Sequence, residues 1–237
     1  MKKKNLLKKT VLFLVSTATS GFLHLPPALA MDDTPPQQIG FHYSGAIPST
    51  SSGFVSTNFP IPSAGEPLTY EATRSRGWQA SYSYQFNKWT GAEVGYGQFQ
   101  YTQNYSTDLG TSSVESDMRQ GTADFVFHVP EVLSRIHPYG IVGVGALRFM
   151  PTDNMNNAAD AVTQTRSSFI YGGGADIDIS RNIGIRAAYR GFKFKAPDYA
   201  VPELTTNMQT HLGEPTIGVY FRFSGFFSGK SKSDTGN

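Results

Sequence analysis

Residues 78–87 read Trp-Gln-Ala-Ser-Tyr-Ser-Tyr-Gln-Phe-Asn. Side chains change face at every residue of a strand. Trp78, Ala80, Tyr82, Tyr84 and Phe86 therefore share one face, and Gln79, Ser81, Ser83, Gln85 and Asn87 share the other. One face demands apolar surroundings and the other polar ones. A soluble sheet meets that demand with a core on one side and water on the other. A closed barrel in a membrane meets it with lipid outside and a polar filling inside. The pattern recurs down the chain, and an export signal precedes it.

Residues 1–30 read as a secretory signal peptide. Lys2, Lys3, Lys4, Lys8 and Lys9 form a basic start, and Val11 to Leu25 is largely apolar. Ala28-Leu29-Ala30 supplies the small-x-small cleavage site, so cleavage between Ala30 and Met31 is expected. The competing reading is an N-terminal anchor, but the apolar run is short for a spanning helix and Pro26-Pro27 ends it. The full chain carries 20 Lys and Arg against 18 Asp and Glu. Five of those lysines and no acid leave with the signal, so 15 basic residues face 18 acidic ones, a net charge of −3. The basic balance belongs to export and gives no reason to expect a nucleic-acid partner. Cysteine is absent, which excludes disulfides, thiolate metal sites, a cysteine nucleophile and an N-terminal lipid anchor. No later segment approaches 18 uninterrupted apolar residues, so no helical span is expected.

The alternation predicts eight strands, near 37–46, 76–87, 91–102, 115–128, 137–149, 166–179, 182–195 and 210–223. The links at 88–90, 129–136 and 180–181 are short, and those at 47–75, 103–114, 150–165 and 196–209 are long. Pro48, Pro60, Pro62 and Pro67 mark the first long link as irregular. An even strand number with short links on one side and long links on the other fits an outer-membrane barrel. The expected class is thus all-β, an eight-stranded antiparallel up-and-down transmembrane β-barrel over 31–223. A polar tail follows at 224–237.

Continuing the alternation assigns the faces. Ala92, Val94, Tyr96, Ala123, Phe125, Phe127, Phe169, Tyr171, Ile183, Ile185, Ile217 and Val219 face lipid. Tyr139, Ile141, Leu147 and Phe149 are also assigned outward, which places Arg148 inside. The expected lumen charge network is Glu93, Asp124, Asp176, Asp178 and Glu214 against Arg148, Arg186, Arg190 and Arg222. A charge on the lipid face costs about 2–4 kcal/mol near the midplane, so inward placement is favoured. An eight-stranded barrel is only wide enough for its own side chains, so the network reads as structural filling. Phe99, Tyr101, Phe192 and Phe194 fall out of phase with Tyr96 and Tyr189, which predicts a bulge or emergence from the bilayer. Gly172-Gly173-Gly174 lies within a strand and lacks a Gly-Lys-Ser/Thr ending, so it reads as a site of curvature, not a phosphate cradle.

Several segments in order resemble the bacterial outer-membrane β-barrel family of OmpA-type eight-stranded proteins, including the opacity-like surface proteins. They are Phe86-Asn87-Lys88-Trp89-Thr90-Gly91, Pro138-Tyr139-Gly140-Ile141-Val142-Gly143-Val144-Gly145, Tyr171-Gly172-Gly173-Gly174-Ala175-Asp176 and Ile185-Arg186-Ala187-Ala188-Tyr189-Arg190-Gly191. Thr216-Ile217-Gly218-Val219-Tyr220-Phe221-Arg222-Phe223 resembles the terminal-strand signal read by the outer-membrane assembly machinery. Gly218, Phe221 and Phe223 fill its glycine and hydrophobic positions, although 14 residues follow where the pattern usually ends the chain. The resemblance implies residence in outer-membrane lipid, assembly by that machinery, and no cofactor.

The leading functional expectation is a non-enzymatic barrel with a structural or adhesin-like surface role and an external ligand of unknown identity. A lipid-modifying enzyme needs a nucleophile beside a general base. His42, His128, His137 and His211 are available, and His42 and His211 lie on strands that closure would make neighbours. No serine or acid stands at a recognisable spacing to them. A narrow channel is the other alternative. Asp176-x-Asp178 offers two inward carboxylates, too few for a metal site.

Overall fold

The computed structural model describes residues 37–58, 61, 64–108, 110–129, 135–152, 162–201 and 204–223. The expected signal peptide, with Ala30 and Met31, and the tail at 224–237 lie outside the described residues. The described chain is almost entirely strand: β1 (Gln37–Pro48), β2 (Ser51–Phe54), β3 (Pro67–Ala72), β4 (Ser75–Gln85), β5 (Thr90–Thr107), β6 (Gly110–His128), β7 (Ile136–Pro151), β8 (Gln164–Asp178), β9 (Ile183–Lys195) and β10 (Gln209–Phe223). β1 pairs with both β4 and β10, and β5 pairs with both β4 and β6. Antiparallel pairing therefore runs unbroken around β1, β4, β5, β6, β7, β8, β9 and β10. These eight strands close on themselves, which leaves no edge in the wall. Each lies within a few residues of its sequence-based expectation, except that β5 and β6 extend further at the outer end.

The inner-end turns are short because their sequence closes them locally. Asn87 Oδ1 accepts from the backbone nitrogens of Trp89 at 2.8 Å and Thr90 at 3.0 Å, an Asx turn between β4 and β5. Ser180 Oγ accepts from Ile183 N at 3.2 Å at the turn between β8 and β9. Trp89 is exposed, and Lys88 Nζ lies 5.8 Å from its ring centre. Such residues anchor a barrel at the membrane–water interface.

The outer end differs from expectation. Residues 103–107 and 110–114 are no open loop: β5 and β6 stay paired from Thr90↔Phe127 up to Thr107↔Gly110. The first long link also contains a hairpin, β2 and β3, which lies against the extension of β5 through Thr69↔Ser106 to Ala72↔Gln103. Pro67 is tolerated as the first residue of β3. The expected phase break is absent too. Register runs continuously through Phe99 and through Phe192 and Phe194, and all three phenyl rings are buried. They are in step with the inward residues below them. The side chain of Tyr101 lies outside the described residues.

β7 corrects a second assignment. Tyr139, Ile141, Leu147 and Phe149 are buried and point inward, whereas Val144, Ala146 and Arg148 are exposed on the outer wall. Arg148 is therefore not part of the lumen. For Leu147 and Phe149 the rule that sends apolar residues to lipid fails because the outer half of the interior is itself apolar, and Tyr139 is drawn inward by Arg186, whose guanidinium lies over its ring. Val114, Met118, Leu147, Phe149, Ile170, Phe192, Phe194 and Leu212 belong to one buried cluster. Elsewhere the lipid belt is as expected: Val94, Phe125, Phe127, Phe169, Ile217, Val219 and Phe221 are exposed, and the structure adds Ile39, Phe41 and Tyr43 of β1.

Candidate functional site in the barrel lumen

The inner half of the lumen is built around two arginines on β9. Four residues apart on a strand, Arg186 and Arg190 share one face and reach different neighbours. Arg186 grips Asp176 with two parallel bonds, Nε to Oδ1 at 2.7 Å and Nη2 to Oδ2 at 2.8 Å. This fork geometry is one that lysine cannot supply. Arg186 also bonds Glu93 on β5, and Gln38 on β1 at 3.0 Å. Arg190 bonds the other Glu93 oxygen and lies 3.7 Å from Asp124 on β6. Gln120 Nε2 donates to Glu214 on β10 at 2.8 Å. The Gln79 amide on β4 fits between Arg190 and Glu214, its oxygen toward the guanidinium and its nitrogen toward the carboxylate. Tyr139 of β7 lies under Arg186, with the guanidinium 5.0 Å from the ring centre. All eight strands of the wall thus contribute to one network.

Space for these groups comes from small residues. Gly174 faces Tyr139 across the β7–β8 pair, and a side chain there would collide with the Tyr139 hydroxyl. The glycine run in β8 thus makes room for a lumen aromatic. Nearer the inner end, Asp178 accepts from Arg222 Nη1 at 2.7 Å and from Tyr220, and lies 3.0 Å from His137 Nε2.

Above the network the character changes. Residues 196–201 and 204–208, between β9 and β10, fold back over the mouth and are held by Ala196 N to Met208 O at 3.0 Å. Tyr199 and Ala200 adopt left-handed backbone conformations with φ of 50° and 61°. That geometry drives the Tyr199 ring into the outer mouth, where it is fully buried. Its hydroxyl contacts Gln103 and lies 3.2 Å from Ser116 Oγ. Tyr105 donates to Pro197 O at 2.7 Å, and Arg166 pairs with Asp198 at 3.0 Å. Burial away from water raises the Tyr199 phenol above its ordinary range.

Of the nine expected lumen charges, Glu93, Asp124, Asp176, Arg186, Arg190 and Glu214 come together in the network. Asp178 and Arg222 form a separate pair nearer the inner mouth, and Arg148 is outside. The alternation identifies which face Gln38, Gln79 and Gln120 occupy but not their partners, because partners depend on register. Tyr199 carries no sequence signal of burial, since its position depends on a loop fold. The histidines do not assemble a reaction centre. His42 faces inward, 3.1 Å from Ser81 Oγ, and no acid bonds its Nδ1 among the described residues. His211 lies on the outer wall, 2.7 Å from the Tyr171 hydroxyl. β1 and β10 do pair, but these two histidines fall on opposite faces. No group of three metal-binding side chains occurs among the described residues. A cavity at the inner mouth, between Gln38, Ser83, Gln85, His128 and Arg186, has a volume of about 10 Å³, room for about one water.

A closed eight-stranded wall, apolar outside and filled within, defines a small integral outer-membrane barrel. The chain belongs to the outer membrane protein beta-barrel domain family, whose model matches residues 15–223. It resides in the outer membrane. No curated protein matches it. Among solved structures it resembles the outer membrane protein OprG from Pseudomonas aeruginosa, with a TM-score of 0.58 and 15% identity over 81% of this chain and 97% of that one. It also resembles Neisserial surface protein A, with a TM-score of 0.52 and 14% identity over 81% of this chain and 100% of that one. AlkL, determined in lipid bilayers, gives a TM-score of 0.52 and 14% identity over 86% of this chain and 97% of that one. At these identities the likeness is one of fold.

Proposed function

We propose that this protein is a non-enzymatic outer-membrane barrel that acts through its external face, as an envelope component with an adhesin-like surface role. The lumen carries the reading. Its inner half is crossed by the Arg186–Glu93–Arg190 network and its outer half is occupied by side chains capped by Tyr199. A wall filled in this way leaves chemistry to the outside, where β5, β6 and the β2–β3 hairpin build a paired extension. The enzyme reading has less support, because the His42–Ser81 pair is buried and lacks an orienting acid among the described residues. The test uses a deletion strain that carries either the wild-type gene or one in which the tip around 106–111 is replaced by a two-residue turn. A surface role predicts that the short-tip protein folds in the outer membrane but fails to restore wild-type cell attachment. Equal attachment by both strains, and by the deletion strain itself, contradicts it. Unaltered envelope lipids in a strain carrying His42→Ala are the matching expectation for a non-enzyme.

A further inference from the structure

Arg148, displaced from the lumen, lies directly opposite Arg119 on the outer wall, and both side chains are exposed. Like charges directly across a β-pair repel, and no ion pair relieves either guanidinium among the described residues. Asp117 stands two residues further out on the same face and Glu115 beyond it, and neither pairs with either arginine. The same register row continues as Gln98 on β5 and Thr165 on β8, both with hydrogen-bonding side chains.

The height of this row is set by the strands. From Phe127, at the inner edge of the exposed apolar belt, to Arg119 is eight residues of β6. That is about 27 Å along the strand and about 21 Å along the membrane normal at a tilt of about 40°. An apolar band about 25 Å tall therefore ends near the arginine pair, on the side of the long links. The pair sits where the charged headgroups of the external leaflet begin.

Directly below it the wall is hollowed. Gly121 and Ala146 face each other in the next outward row, and nothing lies within 4 Å of where a Gly121 β-carbon would project. The trough continues through Ala123 and Val144, flanked by exposed Tyr96 and Phe169. A cationic pair above an apolar trough matches one ligand shape: a phosphate carried on an acyl chain.

The geometry points to a lipid-binding site in which Arg119 and Arg148 together hold a phosphate of an external-leaflet lipid whose acyl chain lies along Gly121 and Ala146. Two guanidiniums sharing one phosphate convert their mutual repulsion into charge-assisted hydrogen bonds. The assignment rests on outer-membrane placement and is independent of the surface role proposed above.

The test titrates the purified full-length protein in neutral detergent with diphosphoryl lipid A and reads the bound fraction by native mass spectrometry. The Arg119→Gln/Arg148→Gln variant is expected to bind at least tenfold more weakly, while it still shifts on a gel when boiled. Lipid A stripped of both phosphates is expected to bind wild type as weakly as that variant binds the intact lipid. Gly121→Leu, which fills the trough and keeps both arginines, is expected to weaken binding several-fold. Equal binding by wild type and the double variant overturns the site. Displacement of lipid A by millimolar inorganic phosphate overturns the lipid assignment, since the pair would then hold a free anion. If the double variant does not fold, Arg148→Gln alone and the phosphate-free lipid decide the matter.

Discussion

Arg186 makes contacts to Asp176, Glu93, Gln38 and the Tyr139 ring. Removing one member of a buried ion cluster leaves the others without compensation, at a cost of about 3–5 kcal/mol. Arg186→Leu is expected to lower the temperature at which the compact gel band converts to the unfolded one. An unchanged conversion temperature would show that the network adds nothing to stability. Ala200 is exposed and left-handed. Glycine relieves about 1–2 kcal/mol of backbone strain there, partly offset by its freer unfolded chain, for a net gain of about 0.5–1 kcal/mol. Ala200→Gly should therefore slow proteolysis of the 196–208 segment, and faster cleavage would speak against a left-handed turn. Tyr199 supplies a pH dependence. Its folded-state phenol is raised above the ordinary value of 10.0, so its stabilisation is complete below about pH 10 and is lost as pH climbs toward the folded value. Protection of 196–208 from hydrogen exchange, taken relative to the base-catalysed intrinsic rate, should fall above pH 10 in wild type. Tyr199→Phe, which cannot ionise, should remove that loss of protection, and an equal loss in both would refute the link.

At the scale of elements, the period-2 pattern located all eight wall strands, because each must present one apolar face to lipid over its whole span. Where the surroundings stop alternating between lipid and polar lumen, the pattern stops being decisive. β7 shows this: Leu147 and Phe149 point inward because their half of the interior is apolar, and Arg148 points outward because its head reaches the aqueous boundary. Phe99, Phe192 and Phe194 mislead in the same way, and no bulge is needed to place them. The length of the β5–β6 hairpin was not legible because its upper half pairs with β3, where Tyr105 packs on Tyr70, a tertiary arrangement with weak local signal. Charge partners in the lumen were equally hidden, since they depend on register and not on face. β10 carries its own prediction. Phe221 and Phe223 stack at 6.2 Å between ring centres, with Phe221 exposed and Phe223 opposite Gln37 of β1. If Gly218, Phe221 and Phe223 act as the assembly signal, Phe223→Ala will reduce the folded protein in outer-membrane fractions several-fold and leave refolding in detergent intact. Equal loss in both settings would assign Phe223 a purely structural part.

At the scale of the whole molecule, the barrel is a stack of two fillings inside one wall. The inner filling is ionic and ties every strand together, and the outer filling is apolar and continues into the external hairpins. Ions crossing such a lumen would have to break the Arg186–Glu93–Arg190 contacts and then pass the Tyr199 cap. The most direct test of the account is therefore the conductance of refolded protein in a planar bilayer, on preparations whose gel mobility shifts on boiling. A closed, side-chain-filled barrel predicts current indistinguishable from the bare membrane at physiological salt. Stable, discrete conductance steps would contradict it and would mean that the two fillings leave a continuous aqueous path.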